Sequence, residues 1–582
     1  MKKYLISMLS VAALLGGCTD LDEIYYSEIA QNTYFGSKDN IYAALARPYT
    51  KWRGIQGWNP WMLQEIVTDE FCVTQKGADY ESGGIYRQLH WHTWTPEHST
   101  IYGTYFQMGE GISYALAMIS ELSDLDYSKY GLTEEDKADH VMQLRMLAAH
   151  SYMRALDLFG GMPIYREYTL DEVPRSTARE TFDFIEEWLL DGISEHSSLK
   201  KKKLGEREEG WVNQGIVATC LAKLYFNAEV YIGEERFEEC AKLCQDIIDG
   251  RYGEYELEES WSGPFRFDNH LSPEVIWSCG SDYSWDRTSW DYERFNHYNA
   301  KSYYDIDGMS STNGAHLQPS LKPNGEPYNF NIGMPFRRFN DQDLRKKGYL
   351  YQGNGKYEGM FLYGLQQRVT YDGRTVSCMG AREYTGEVIN LVDQVAQFKK
   401  VGTEYASVEE LPSNITTGEE NSGVRLVKRP VPDNRDQSYR YGADYVVMRL
   451  AEVYYMLAEC KYRAGDKKGA ADLFNEVRKR NFANRQDPDP CTVENLNKYR
   501  ILQEWMTEFL GEGRRRTDLR RWNAFTTETW WDHNPTDHYR ELYPIPQTSI
   551  SASNVNLKQN PGYGGDEMTP QEAGLYTVRN VE

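Results

Sequence analysis

Apolar residues recur at helical spacing over much of this chain. Between residues 32 and 53, Ile41, Ala44, Leu45 and Tyr49 make one face, and Asp39 and Asn40 can cap its start. The spacing predicts further helices over 102–122, 134–159 and 179–195, the second stopped by Gly160-Gly161-Met162-Pro163. A helical hairpin is expected over 211–232 and 237–250, with Ala218, Leu221, Ala222 and Tyr225 inward. A last pair is expected from Asp444. Val447, Leu450, Ala451, Tyr454, Leu457 and Ala458 form its first stripe, Gly465-Asp466 breaks it, and Ala470, Ala471, Phe474 and Val477 form the second. Such hairpins bury their apolar side only by stacking on neighbours, in the manner of tetratricopeptide repeats. The expected fold is mainly α: a tetratricopeptide-like scaffold of about four hairpin units, three early and one late, with a large irregular insert.

That insert is expected over 252–441, between a helical part at 32–251 and a C-terminal helical part and tail at 442–582. Helical period fades there, and Gly, Asn, Asp, Tyr and short β-branched runs take over. Gly353-Asn354-Gly355 is a hairpin turn signal. No helix is expected after it, so it does not read as a nucleotide loop. Earlier, Trp52 to Trp61 reads as one aromatic loop and Gly77 to His98 as another. In the second, His90 and His92 alternate and would share a face on a strand. A zinc site needs a further ligand, and only the more distant His98 offers one, so no metal is expected.

The first residues differ again. Lys2-Lys3, an apolar run from Leu5 to Leu15, then Leu15-Gly16-Gly17-Cys18 read as a lipoprotein export signal over 1–17, too short to span a membrane. Cys18 is then the lipidated first residue of the mature chain, which is anchored rather than spanning. Residues 18–31 form an acidic tether with Asp20, Asp22 and Glu23. The formal charge of the whole chain is -23, and losing Lys2 and Lys3 makes it more negative. Such a surface repels nucleic acid, and no nucleic-acid partner is expected. Arg514-Arg515-Arg516 does not change this, being a helix start that pairs with nearby acids. The nine cysteines show no metal spacing and no dense disulfide pattern. Most read as small apolar residues, with Cys491 the one expected at the surface. Fifteen Trp and 44 Tyr are an excess. Sugar rings present apolar C–H faces to such side chains, while buried helical aromatics account for part of the count.

The C-terminal part carries ordered motifs. They are Arg449-Leu-Ala-Glu452 with Ala458-Glu459, Asn475-x-x-Arg478, Glu508-Phe with Glu512-Gly513, and Asp518-Leu-Arg-Arg-Trp522. Tyr543-Pro-Ile-Pro546 and Gln559-Asn-Pro-Gly-Tyr563 follow. Together they resemble the signature of the SusD/RagB family. Asp341-x-Asp343-Leu-Arg345, Lys428 and the acids Asp69-Glu70 resemble further marks. One departure stands at Trp505 and Met506, where the family usually has two arginines after the position of Glu504. The resemblance implies a surface lipoprotein of the outer membrane that binds glycans or other nutrients. It implies a SusC-like TonB-dependent transporter as partner, docked on the helical side.

The family tends to build its glycan site where early loops meet the irregular insert. Two stretches there combine flat faces with planar polar groups. One holds Trp91 and Trp94 with Arg87 and Gln88. The other holds Trp285 and Trp290 with Asp286, Arg287, Asp291 and Asn296. These are expected to form an aromatic arc around an oligosaccharide or polysaccharide. No catalytic residue and no cofactor is expected. There is no Gly-x-Ser-x-Gly, His-Glu-x-x-His or Walker loop, and adjacent Asp69 and Glu70 cannot face each other across a glycosidic bond. Two other classes compete: a helical glycoside hydrolase, whose acids could be scattered, and a scaffold that binds only proteins.

Overall fold

The computed structural model describes residues 35–281, 294–306, 311–353, 355–370, 372–431 and 443–578. Helix α1 (Lys38–Gly54) starts at Ser37, whose hydroxyl accepts the Asn40 amide at 3.3 Å. Asp39 and Asn40, the expected caps, lie inside the first turn instead. Ser37 wins because its extended backbone can point a side-chain oxygen back at a free N–H. After α2 (Trp58–Glu65) come α3 (Ser99–Ser123), α4 (Glu134–Phe159), α5 (Ala178–Gly192), α6 (Gln214–Phe226) and α7 (Phe237–Ile248). Capping boxes open α4 at Thr133–Asp136 and α5 at Thr177–Glu180. The single helix expected over 211–232 is broken. It ends at Phe226, and a short helix, Ala228–Ile232, restarts after Asn227.

The helices stack in chain order. α1 lies on α3, α3 on α4, α4 on α5, α5 on α6 and α6 on α7. The series then jumps. Helix α8 (Leu450–Arg463) packs on α7 although residues 249–449 intervene, and α9 (Lys467–Arg478) packs on α8. Helices α10 (Lys498–Phe509) and α11 (Arg515–Arg521) follow, and α11 reaches back to α2. A single apolar core runs through the stack, from Phe35 and Ile41 to Tyr543 and Val578.

The intervening stretch is built of turns, one-turn helices and short strands. Among the described residues, strands meet only in two-stranded antiparallel ladders. β1 (Phe71–Val73) pairs with β3 (Ala315–Leu317) and so ties the insert to the end of α2. β4 (Leu350–Gly353) and β5 (Lys356–Glu358) form the hairpin expected at Gly353-Asn354-Gly355.

β2 (Val275–Cys279) pairs with β6 (Tyr445–Arg449), Tyr445 opposite Cys279 and Arg449 opposite Val275. This corrects the helix expected from Asp444: it begins only at Leu450. Tyr445 to Met448 is a continuous apolar run that serves as a mostly buried strand. The Leu450 amide closes the ladder on the Glu274 carbonyl at 2.9 Å. Among the described residues, no helix is long and apolar enough to cross a membrane.

Candidate functional site

The late motifs form a buried lattice of ion pairs that holds the insert against the helices. Arg449 donates to Glu512 at 2.8 Å and to Glu508 at 2.8 Å, and lies 3.2 Å from Glu274. Glu508 also receives Arg480 at 2.8 Å and Arg345 at 2.9 Å, and Arg345 returns to Asp343 at 2.7 Å. Lys428 donates to the carbonyls of Glu508 at 3.1 Å and Leu510 at 3.2 Å. Burial by itself would raise the Glu508 carboxyl. Arg449, Arg480 and Arg345 outweigh it and hold it well below the usual carboxylate range.

A second knot joins the two ends of the chain. Arg515 donates to both oxygens of Asp69 at 2.7 and 2.8 Å. Arg516 meets Asp157 at 3.2 Å, Arg521 meets Glu459 at 2.7 Å, and Arg514 meets Glu452 at 2.6 Å. The expected pairing of the arginine run with nearby acids holds. Glu504 keeps two cations, Arg478 at 2.7 Å and Arg500 at 2.8 Å. Trp505, where the motif departs, donates its indole N–H to Glu459 at 2.7 Å under the Arg514 guanidinium. Asp69 and Glu70 are therefore buried framework. Burial, and then the neighbouring Glu65, push the Glu70 carboxyl up.

Against this frame an open rim forms where the 77–98 segment meets the insert. Tyr298 donates its hydroxyl to Asp79 at 2.6 Å, and the Arg382 guanidinium lies 3.7 Å from the Tyr298 ring centre while pairing with Asp79. The Asp79 side chain is 37% exposed and that of Arg382 53%. The Tyr298 hydrogen bond, helped by Arg382, draws the Asp79 carboxyl down, so it faces solvent ionised. Trp58 is half-buried, stacked on Trp61 with ring centres 4.9 Å apart, and covered by Arg294 at 5.1 Å. Three non-glycine residues of this rim, Tyr80, Ser82 and Arg382, take φ of 63°, 41° and 42°. Strained backbone of this kind persists only where its surroundings over-determine it, and it clusters at ligand sites. The rim groups an indole, a phenol, two guanidiniums and a carboxylate from four stretches of the chain.

The residues singled out earlier fall as follows. Cys18, Trp285, Asp286, Arg287, Trp290 and Asp291 lie outside the described residues. Arg87 is part-exposed, 3.9 Å from Glu81. Trp91 is half-buried and donates to Asp532 at 3.0 Å. Trp94 corrects the expected arc: it is 0% exposed and donates to the Tyr563 hydroxyl at 2.8 Å. Asn296 is likewise buried, its carbonyl accepting the Asn313 amide at 2.7 Å. Both are buried and present no face to a ligand. His90 ends a short helix, Ile85–His90, rather than lying on a strand, and like His92 it packs its ring near His533 in the core. Burial, and then the His533 charge, lower both His90 and His92. Cys491 is also a correction. It is buried, clamped by Asn475 through two 2.8 Å hydrogen bonds to its backbone. Sequence reasoning missed Asp79, Tyr298 and Arg382 as a group, and it noted Trp58 only as part of an aromatic loop.

Residues 273–563, which hold the first lattice, the arginines of the second knot and most of the insert, match the model of the SusD family. The chain belongs to the SusD family. It is 24% identical over 528 residues to the starch-binding protein SusD of Bacteroides thetaiotaomicron, covering 86% of this chain and 84% of that protein. It is 22% identical over 454 residues to the SusD-like protein P25 of Formosa agariphila, covering 74% and 75%. Solved structures share the fold. NanU of B. fragilis aligns with a TM-score of 0.63 at 17% identity, over 93% of this chain and 99% of that one. Surface glycan-binding protein A of Bacteroides uniformis aligns with a TM-score of 0.62 at 18% identity, over 90% and 99%. The buried lattice is thus the SusD-family C-terminal signature in three dimensions. Its motifs hold strands, helices and insert together, while the open rim lies apart from most of them.

Proposed function

We propose that this SusD-family chain is a non-catalytic glycan-binding lipoprotein of the outer-membrane surface. It captures an oligosaccharide or polysaccharide and passes it to a SusC-like TonB-dependent transporter. The observation that carries the reading is the rim of Trp58, Tyr298, Asp79, Arg294 and Arg382. Sugar C–H faces stack on rings, and adjacent hydroxyls pair with planar guanidinium and carboxylate groups. Starch binding by the relative SusD supports the same class of ligand. Trp285 and Trp290, with Asp286, Arg287 and Asp291, complete the proposed arc, because the chain leads directly from them into Arg294. Trp91 and Arg87 border it. Asp79, the rim's carboxylate, is engaged by Tyr298 and Arg382 and has no second acid opposite it among the described rim residues. That favours binding over hydrolysis.

The test uses affinity gels with immobilised polysaccharides. Each stacked ring adds about 0.5–1.5 kcal/mol, so Trp58→Ala is expected to weaken retention up to roughly tenfold. Arg382→Ala, which also frees Asp79, should weaken it further. Unfolding temperatures measured on the same proteins separate binding from folding. Unchanged retention in folded variants defeats the assignment of the rim. Steady release of reducing ends by the repurified protein would make it an enzyme. In cells, Cys18→Ala should leave the membrane fraction and no longer co-purify with the transporter. Continued anchoring would place the lipid elsewhere.

A further inference from the structure

A second surface feature is built from entirely different residues. Helix α1 carries Tyr42 and Tyr49 seven residues apart, on one face and about 10 Å along the axis. The 200–213 segment folds against that face. The Tyr49 hydroxyl donates to Gln143 at 2.6 Å and accepts the Val212 amide at 3.1 Å. Trp211 then meets the Tyr49 ring edge-on at 4.9 Å. Between this segment, α1 and the first turns of α4 lies an open cleft of about 630 Å³, lined by both Tyr42 and Trp211. Tyr42 is 36% exposed and is held edge-on to His140 at 5.4 Å. Trp211 is half-buried. A neighbouring cavity of about 230 Å³ shares Trp211 and Glu209 and continues the cleft to Gly280.

The polar lining is mixed in sign. Lys200, Lys201 and Arg207 reach the cleft and form no ion pair among the described residues. Asp139 accepts from Gln143 at 2.7 Å, and Glu206 accepts the Lys203 amide at 2.8 Å. Glu208 lies buried beneath them, accepting the Gly210 amide at 2.9 Å. Burial pushes the Glu208 carboxyl up to about 8, so at neutral pH it can donate as well as accept. A cleft for an anion would exclude the acids, and one for a cation would exclude the lysines. Donors and acceptors in equal supply, beside two aromatic rings, suit a neutral molecule covered in hydroxyls.

We propose that this cleft is a second saccharide-binding site, with Tyr42 and Trp211 as platforms and Lys200, Arg207 and Gln143 as hydroxyl partners. It would take a short neutral stretch of the polymer whose other segments occupy the rim, and so it rests on the glycan reading above. Two sites on one chain make the second contact intramolecular, which raises retention of a long polymer above that of a short oligosaccharide.

The test starts from a panel of maltohexaose, cellohexaose, xylohexaose, mannohexaose and laminarihexaose. The hexasaccharide that the wild-type protein binds is titrated calorimetrically. Two sites are expected in the wild type and one in Tyr42→Ala, whose exposed side chain leaves folding intact. Lys200→Ala/Arg207→Ala is expected to behave like Tyr42→Ala, and Trp58→Ala to weaken the other site up to roughly tenfold. Retention on the matching polysaccharide should fall at least roughly tenfold in Tyr42→Ala. A stoichiometry of one in the wild type, with affinity unaltered by Tyr42→Ala and weakened by Trp58→Ala, overturns this cleft alone. A wild type that binds nothing in the panel overturns the glycan reading and the cleft with it.

Discussion

Glu508 accepts guanidinium groups from Arg449, Arg480 and Arg345 while it is buried. Such a group is far more costly to break than to build. Removing one partner of a buried pair leaves the others charged and unmatched, at about 3–5 kcal/mol. Glu508→Gln should therefore lose stability of that order at pH 7 in urea unfolding. Its pH dependence has a definite sign. The folded carboxyl lies below its unfolded value, so its contribution is full above the ordinary glutamate range. It fades as pH falls through the folded pKa. Wild type and Glu508→Gln should converge in stability as the solution is taken below about pH 4. A gap that stays constant down to pH 3 would show that Glu508 acts through packing and not charge. Trp94 and Trp58 differ in the same way: the first lies in the core, and the second is half-buried at the rim.

Among the elements, α4 ends where the C-terminal tail docks. Gly160 follows Phe159 with φ of 76°, and a Cβ there would stand 1.9 Å from the Ala573 carbonyl oxygen. Neither atom belongs to a flexible side chain, so Gly160→Ala must shift backbone. It should cost at least about 3 kcal/mol and open the tail to protease. Gly131, with φ of 69° and open space around it, is the control, and Gly131→Ala should cost only about 1 kcal/mol. Equal losses at the two sites would mean that the tail yields freely. Helices of this kind were legible because their information is local. Period, capping boxes and stop signals all lie within α4 and α5. The strand at Tyr445–Arg449 was not, because its partner is Val275–Cys279 and nothing near Tyr445 announces that. The rim was legible only as scattered aromatics. Asp79, Tyr298 and Arg382 come from segments with no shared period, and only the folded chain brings them within hydrogen-bonding reach. Cys491 misled because Pro490 and the acids before it look like a surface turn, while its clamp, Asn475, sits on α9.

For the whole molecule, the decisive fact is how far apart in the chain the partners of the second knot lie. Asp69 and Asp157 belong to the early helical part, and Glu459 to α8, yet their cations Arg515, Arg516 and Arg521 all lie on α11. A chain ending after Leu496 loses the core residues of α10 and α11, among them Trp505, Phe509 and Leu519, and leaves Asp69 and Asp157 without these cations. Such a fragment is expected to show no cooperative thermal transition and to be cut throughout by dilute protease. A fragment that melts sharply would contradict this. Contacts of this span form late, since the loop must close before they contribute. The order of synthesis thereby becomes part of the design. What is made first must wait for what is made last, and the nascent chain is expected to stay an unfolded thread until nearly all of it has left the ribosome.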